Sequence, residues 1–97
     1  MRLPKPKSFE WDKGNIDKNL IKHKVSNLEA EEIFFDRNKI QLKDKLHSAT
    51  EKRCLIIGKT LKKRLLIAVY TVRNNKIRII SIRDTNKKEK TFYEKNA

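Results

Sequence analysis

Arg73, Lys76, Arg78 and Arg83 crowd one short stretch of this chain, with Asp84 as the nearby acid. Arginine offers fixed planar N–H donors that match phosphate oxygens, so several on one rigid element could hold an anionic backbone. Read singly, each is only a solvating charge at a strand end. His23 follows Lys22 and stands four residues after Asn19. It could give or take a proton near neutral pH, or simply hold the end of a helix. His47, beside Ser48 in a polar stretch, carries the same two readings. Glu51 and Arg53 share strand parity, which by itself reads as a salt bridge. Lys87, Lys88, Lys90 and Lys95 form a solvated helix face, beside which Phe92 and Tyr93 either pack on the sheet or stack on a base.

Most other chemistry is excluded. The chain has two glycines, Gly14 and Gly58, and no phosphate-cradling or dinucleotide loop. One cysteine, Cys54, and two separated histidines give no metal-ligand spacing, so neither metal nor cofactor is expected. Cys54 sits in an apolar run and reads as a small buried hydrophobe. RNA cleavage survives this elimination, because the 2′-OH is an internal nucleophile. A protein need only position the strand, stabilise the charged phosphorane and move protons.

Charge points the same way. The 97 residues carry a formal +13, from 25 Lys and Arg against 12 Asp and Glu. Residues 52–97 alone hold fourteen bases and three acids, a balance of +11. Such a field favours nucleic acid, an acidic protein or an anionic surface. The longest apolar run, Leu65 to Val72, is far short of the roughly 20 residues that span a bilayer. No signal core follows Met1 to Lys7. A single domain over residues 1–97 is expected, with residues 1–7 frayed and the protein in the cytoplasm.

The elements that must position these residues follow from periodicity. Ser8 to Asp12 alternates like a short edge strand. A first helix runs from Asn15 or Asp17 to about Lys24, with Ile16, Leu20 and Ile21 on one side and Lys18 and Lys22 stacked on another. Ser26 and Glu29 form a capping-box pattern for a second helix ending near Asp36. Residues 37–50 read as a loop, with a short strand possible over Ile40 to Lys43. Strands are expected at Lys52–Ile57, Arg64–Val72 and Lys76–Ile82, with turns beginning at Gly58 and at Asn74-Asn75. Asn86 and Glu89 repeat the capping pattern for a last helix ending near Tyr93 or Glu94. The fold is α+β: an antiparallel sheet with a central three-strand meander, two N-terminal helices and one C-terminal helix.

A two-residue turn sets the hairpin pairing. Arg73 opposes Lys76, Thr71 opposes Arg78, Val69 faces Ile80 and Ile67 faces Ile82. On the other face Val72 pairs Ile77, Tyr70 pairs Ile79, Ala68 pairs Ser81 and Leu66 pairs Arg83. Each face is part apolar and part basic, so parity leaves open which is the core.

Taken in order, Phe9-Glu10-Trp11-Asp12, Asn19 with Lys22-His23, Val25-Ser26, Glu29-Ala30, Phe34-Phe35-Asp36, His47-Ser48, Glu51 with Arg53, Gly58, Thr71 with Arg73, Ile77 to Ser81 with Arg83, and Lys88-Glu89 with Tyr93 resemble the BrnT family of bacterial toxins. The likeness spans residues 9–93 and is specific as a set. It implies a RelE-like fold and a metal-independent ribonuclease that inhibits translation. It implies a BrnA-like antitoxin that neutralises the toxin, supplies the DNA-binding domain and joins it in repressing their operon. Operator DNA would then be met only through the antitoxin. The family positions that match are His23, Lys22, Glu51, Arg53, Arg73, Arg78 and Arg83. The resulting expectation is a catalytic set of His23, Glu51, Arg53, Arg73 and Arg83, and RNA-binding residues Lys18, Lys22, Lys76, Arg78 and Lys88. The chain departs from the family at Asn15, where lysine is usual, at Lys24, where glycine is usual, and at Asn27, where an aromatic is usual. The competing readings are a non-catalytic nucleic-acid-binding module and an inactive toxin that serves only as corepressor.

Overall fold

Asn74 and Asn75 have φ angles of 51° and 64°, the paired left-handed conformation that a two-residue hairpin loop requires. They join β4 (Leu65–Arg73) to β5 (Lys76–Asp84) in a computed structural model that describes residues 8–10, 24–44 and 53–96. The other strands are β1 (Ser8–Phe9), β2 (Ile40–Asp44) and β3 (Arg53–Lys59). They form one sheet in the order β1-β5-β4-β3-β2. β2 through β5 run antiparallel in sequence order, and β1 pairs parallel with the start of β5. The meander therefore has four strands, one more than expected. The extra one is β2, whose Ile40-Gln41-Leu42-Lys43-Asp44 pairs with β3 along its whole length.

The hairpin pairing holds from the turn to Tyr70, which opposes Ile79, and then shifts. Val69 opposes Ser81, Ile67 opposes Arg83, Ala68 opposes Ile82 and Leu66 opposes Asp84, which corrects the four pairings expected beyond that point. The extra residue on β5 is Ile80, so the strand carries a β-bulge. The bulge settles the question of the core. Without it Ile82 would share a face with Arg78; with it Ile82 turns inward beside Ile77 and Ile79, all three buried.

One helix packs on that inner face. α1 (Asn27–Glu32) begins at a reciprocal capping box, in which Glu29 N donates to Ser26 Oγ at 3.1 Å and Ser26 N donates to Glu29 Oε1 at 3.2 Å. Such a cap contributes about 1 kcal/mol. A 3-10 turn over Ile33–Phe35 continues it. Val25, Ala30, Ile33 and Phe34 cover Ile56, Leu66, Ala68, Tyr70, Ile77, Ile79 and Ile82. The Phe34 ring stands edge-on to Phe9 at 5.3 Å and to Tyr70 at 5.1 Å, linking β1 to the centre of the sheet. Cys54 is partly buried against the same cluster, as a small hydrophobe would be.

Gly58 does not open a turn, as its sequence context implied. It lies inside β3, where a Cβ would come within 2.6 Å of the Ile33 carbonyl oxygen. Glycine is needed there because the 3-10 turn presses onto the strand. The turn itself follows at Thr60, closed by Lys63 N to Thr60 O and Thr60 N to Arg64 O, each 2.9 Å.

α2 (Lys87–Asn96) starts with the expected Asn86 and Glu89 pair and runs past Glu94 to Asn96. It is fastened to the Lys59 end of the sheet by Tyr93, whose hydroxyl donates to Asp36 Oδ2 at 2.6 Å. The described residues thus hold two helices. The other expected N-terminal helix, with Lys18, Lys22 and His23, lies outside the described residues, as do His47, Glu51 and residues 1–7. Among the described residues no helix is long and apolar enough to cross a membrane.

Candidate functional site

The face of the sheet turned away from α1 is where the hairpin's cations emerge. Ile77 and Ile79 point into the core, so Lys76 and Arg78 between and beside them point out. Tyr70 is likewise buried inward, which places Thr71 and Arg73 on the outer face by parity together with the register Thr71 to Arg78 and Arg73 to Lys76. On β3, Cys54 pairs with Tyr70, so Arg53 stands one step on, across from Thr71. Adjacent strands are about 4.8 Å apart. Arg53, Arg73, Lys76 and Arg78 therefore surround Thr71 at the hairpin end of one face.

Thr71 is only 3% exposed although it lies on this outer face. Its β-branched side chain is restricted at χ1 and suits a strand position among these neighbours. Sequence reasoning found the cations but gave Thr71 no part. The available signal was its place opposite Arg78.

Arg83 is held elsewhere. It is five residues along β5 from Arg78, roughly 16 Å by strand rise, at the end of the sheet where α2 begins. Its guanidinium makes a two-pronged contact with Glu89, Nη1 to Oε1 at 2.8 Å and Nη2 to Oε2 at 2.9 Å. That bond raises the Arg83 pKa and is the chief cause of the lowered Glu89 carboxyl. Lys88, in the first turn of α2, is exposed at the same end. The structure thus joins Arg53, Arg73, Lys76 and Arg78, and sets Arg83 and Lys88 apart from them.

A second arginine binds the same end together and gave no signal in the sequence. Arg64 Nε and Nη2 donate to the two carboxylate oxygens of Asp84 at 2.7 and 2.8 Å. Its Nη1 reaches Glu29 Oε2 at 3.3 Å and the Lys24 carbonyl at 2.8 Å. The Asp84 bond is the main reason its already high pKa rises further, against the opposing effect of burial. Two of the three acids in residues 52–97, Asp84 and Glu89, are thereby committed to Arg64 and Arg83. Acids from the rest of the chain come to the hairpin end: the register sets Asp44 of β2 opposite Arg53, and Glu10 N donates to Ile77 O between Lys76 and Arg78. Convergent guanidinium groups of this kind suit a phosphodiester that gains charge as it reacts.

A comparison with curated proteins finds no match. The chain does match a family model described as the ribonuclease toxin BrnT of type II toxin–antitoxin systems, over residues 11–89. That span takes in β3, β4 and β5 with all four clustered cations. This chain belongs to the BrnT family of type II ribonuclease toxins.

Proposed function

We propose that the protein is a metal-independent endoribonuclease that cleaves RNA on the outer face of its sheet and thereby inhibits translation. The observation that carries this is the convergence of Arg53, Arg73, Lys76 and Arg78 around Thr71, in a chain of a ribonuclease toxin family. In the proposed reaction the RNA 2′-oxygen attacks the adjacent phosphorus and the bond to the 5′-oxygen breaks. One group takes the 2′-OH proton and another returns a proton to the leaving 5′-oxygen. His23 and Glu51 are assigned these transfers. Arg53, Arg73 and Arg78 hold the non-bridging oxygens as charge builds on them, and Lys76, Lys18, Lys22 and Lys88 bind flanking phosphates.

In this reading the protein acts in the cytoplasm on a RelE-like scaffold. A BrnA-like antitoxin encoded beside it neutralises it. The pair represses its operon, with operator DNA contacted through the antitoxin. The experiment is RNA cleavage by purified protein with a chelator present, comparing the parent with His23→Gln. Glutamine keeps a hydrogen bond but moves no proton, so cleavage should fall by about a hundredfold or more. A folded His23→Gln protein that cleaves at the parent rate removes His23 from the reaction, and a parent that cleaves nothing removes the nuclease reading.

A further inference from the structure

Three large apolar side chains stand exposed around one corner of the molecule: Phe35 at 75%, Leu61 at 85% and Phe92 at 39%. They come from three different elements that hydrogen bonds draw together. Leu61 N donates to Glu32 Oε1 at 3.1 Å, which ties the β3–β4 turn to α1. Asp36, next to Phe35, accepts Lys59 N at 2.8 Å and the hydroxyl of Tyr93, next to Phe92, at 2.6 Å. Glu32 and Asp36 thus direct carboxylate oxygens at donors within the fold, and Glu94 is exposed beside Tyr93. Lys62 and Lys63 are exposed residues of the same turn, and Lys59, at the end of β3, holds its ammonium 5.5 Å from the centre of the Tyr93 ring. Three exposed apolar residues and exposed lysines thus share one end of the sheet, opposite Arg53 and Arg73.

We propose that this corner docks an acidic segment of a protein partner that inserts apolar side chains among Phe35, Leu61 and Phe92 while its carboxylates meet the lysines. On the toxin reading above, on which this rests, the partner is the antitoxin. Nucleic acid fits the corner less well: leucine has no ring face for a base to stack on, whereas clustered exposed apolar groups with a charged rim match the anatomy of a protein interface. Docking at this end of the sheet lies away from Arg53 and Arg73, so tight binding and inhibition of cleavage belong to separate parts of the partner.

The test uses the full chain and, as probe, the protein product of the reading frame adjacent to its gene. Phe35→Ser/Leu61→Ser removes two exposed anchors, and Lys62→Glu/Lys63→Glu reverses two rim charges. Each pair should weaken binding of that product by about tenfold or more, with the parent melting temperature and the parent rate of RNA cleavage retained. The lysine variant should also lose much of the salt dependence of binding. Parent affinity in both double variants overturns the inference while leaving the toxin reading intact. Loss of RNA binding in place of partner binding assigns the corner to nucleic acid and overturns it as well. A parent chain that does not bind the neighbouring product overturns the antitoxin assignment and this inference with it.

Discussion

Arg64 donates a hydrogen bond of 2.8 Å to the backbone carbonyl of Lys24, a residue held at φ 54°. The same guanidinium grips Asp84 at the end of β5 and Glu29 in the cap of α1. One side chain therefore fixes the entry to α1, the start of β4 and the end of β5. The left-handed turn at Lys24 delivers the chain to Val25 and Ser26, which begin the core and the cap.

That conformation costs a residue with a Cβ roughly 1–2 kcal/mol, and glycine adopts it without that cost. Lys24→Gly should raise stability by about 1 kcal/mol after the entropy of the freer unfolded chain is counted, or about 4–8 °C in melting temperature. The Arg64 contact uses only the carbonyl and survives the change. Thermal unfolding by circular dichroism checks it; a lower melting temperature would mean that the lysine side chain contributes more than its backbone costs.

Acid should weaken the Arg83–Glu89 pair in a defined direction. Hydrogen bonding to Arg83 chiefly lowers the Glu89 pKa below 4.5, against burial. Glu29 is also lowered: burial pushes it up, but bonds from Ser26 and Arg64 outweigh that. A depressed folded pKa adds stability that is full above about 4.5 and is lost as pH falls through the folded value. Arg83→Leu should therefore flatten the loss of stability below that pH, measured by urea unfolding across a pH series. An unchanged slope would show that the pair does not contribute.

Both tyrosines should resist ionisation. Burial raises each to about 12, with Cys54 adding to the effect at Tyr70 and the Asp36 carboxylate adding to it at Tyr93. The unfolded chain gives up these protons near pH 10, so stability falls as pH rises from there toward about 12. Ultraviolet titration should find neither tyrosine ionised while the protein stays folded at pH 10. Tyrosinate absorbance developing near pH 10 in the folded protein would contradict the buried setting.

Arg83→Ala should lower RNA cleavage far less than Arg73→Ala. Glu89 already neutralises Arg83 at the α2 end, and the pair is half-buried, with Arg83 the more exposed partner, so its loss costs about 1 kcal/mol of stability. Cleavage rates at matched concentrations of folded protein decide this. Equal losses in the two variants would return Arg83 to the catalytic set.

Much of this was legible in the residues. Asn74-Asn75 announced the hairpin, and Ser26 with Glu29 and Asn86 with Glu89 announced two helix starts, because caps and tight turns are local. What escaped depended on contacts distant in sequence. The bulge at Ile80 is invisible to alternation, since Ile79, Ile80 and Ile82 are all apolar and only the packed α1 face selects which turn inward. Gly58 looked like a turn because nothing near it in sequence reveals the Ile33 carbonyl pressing on it. Arg64 looked like one more surface cation, and its partners lie 20, 35 and 40 residues away. Arg73 and Arg78 stood out from their crowding on one expected hairpin, but their company with Arg53 and separation from Arg83 needed the sheet.

In the proposed reaction the arginine cluster around Thr71 stabilises charge on the cleaved phosphate. The most direct measurement of this is the single-turnover rate of RNA cleavage by Arg73→Ala and Arg78→Ala, with melting temperatures recorded for both. Losing a charged donor to the transition state costs on the order of 3 kcal/mol, so each rate should fall about a hundredfold or more with the fold intact. Both folded variants cleaving RNA at the parent rate would contradict the claim.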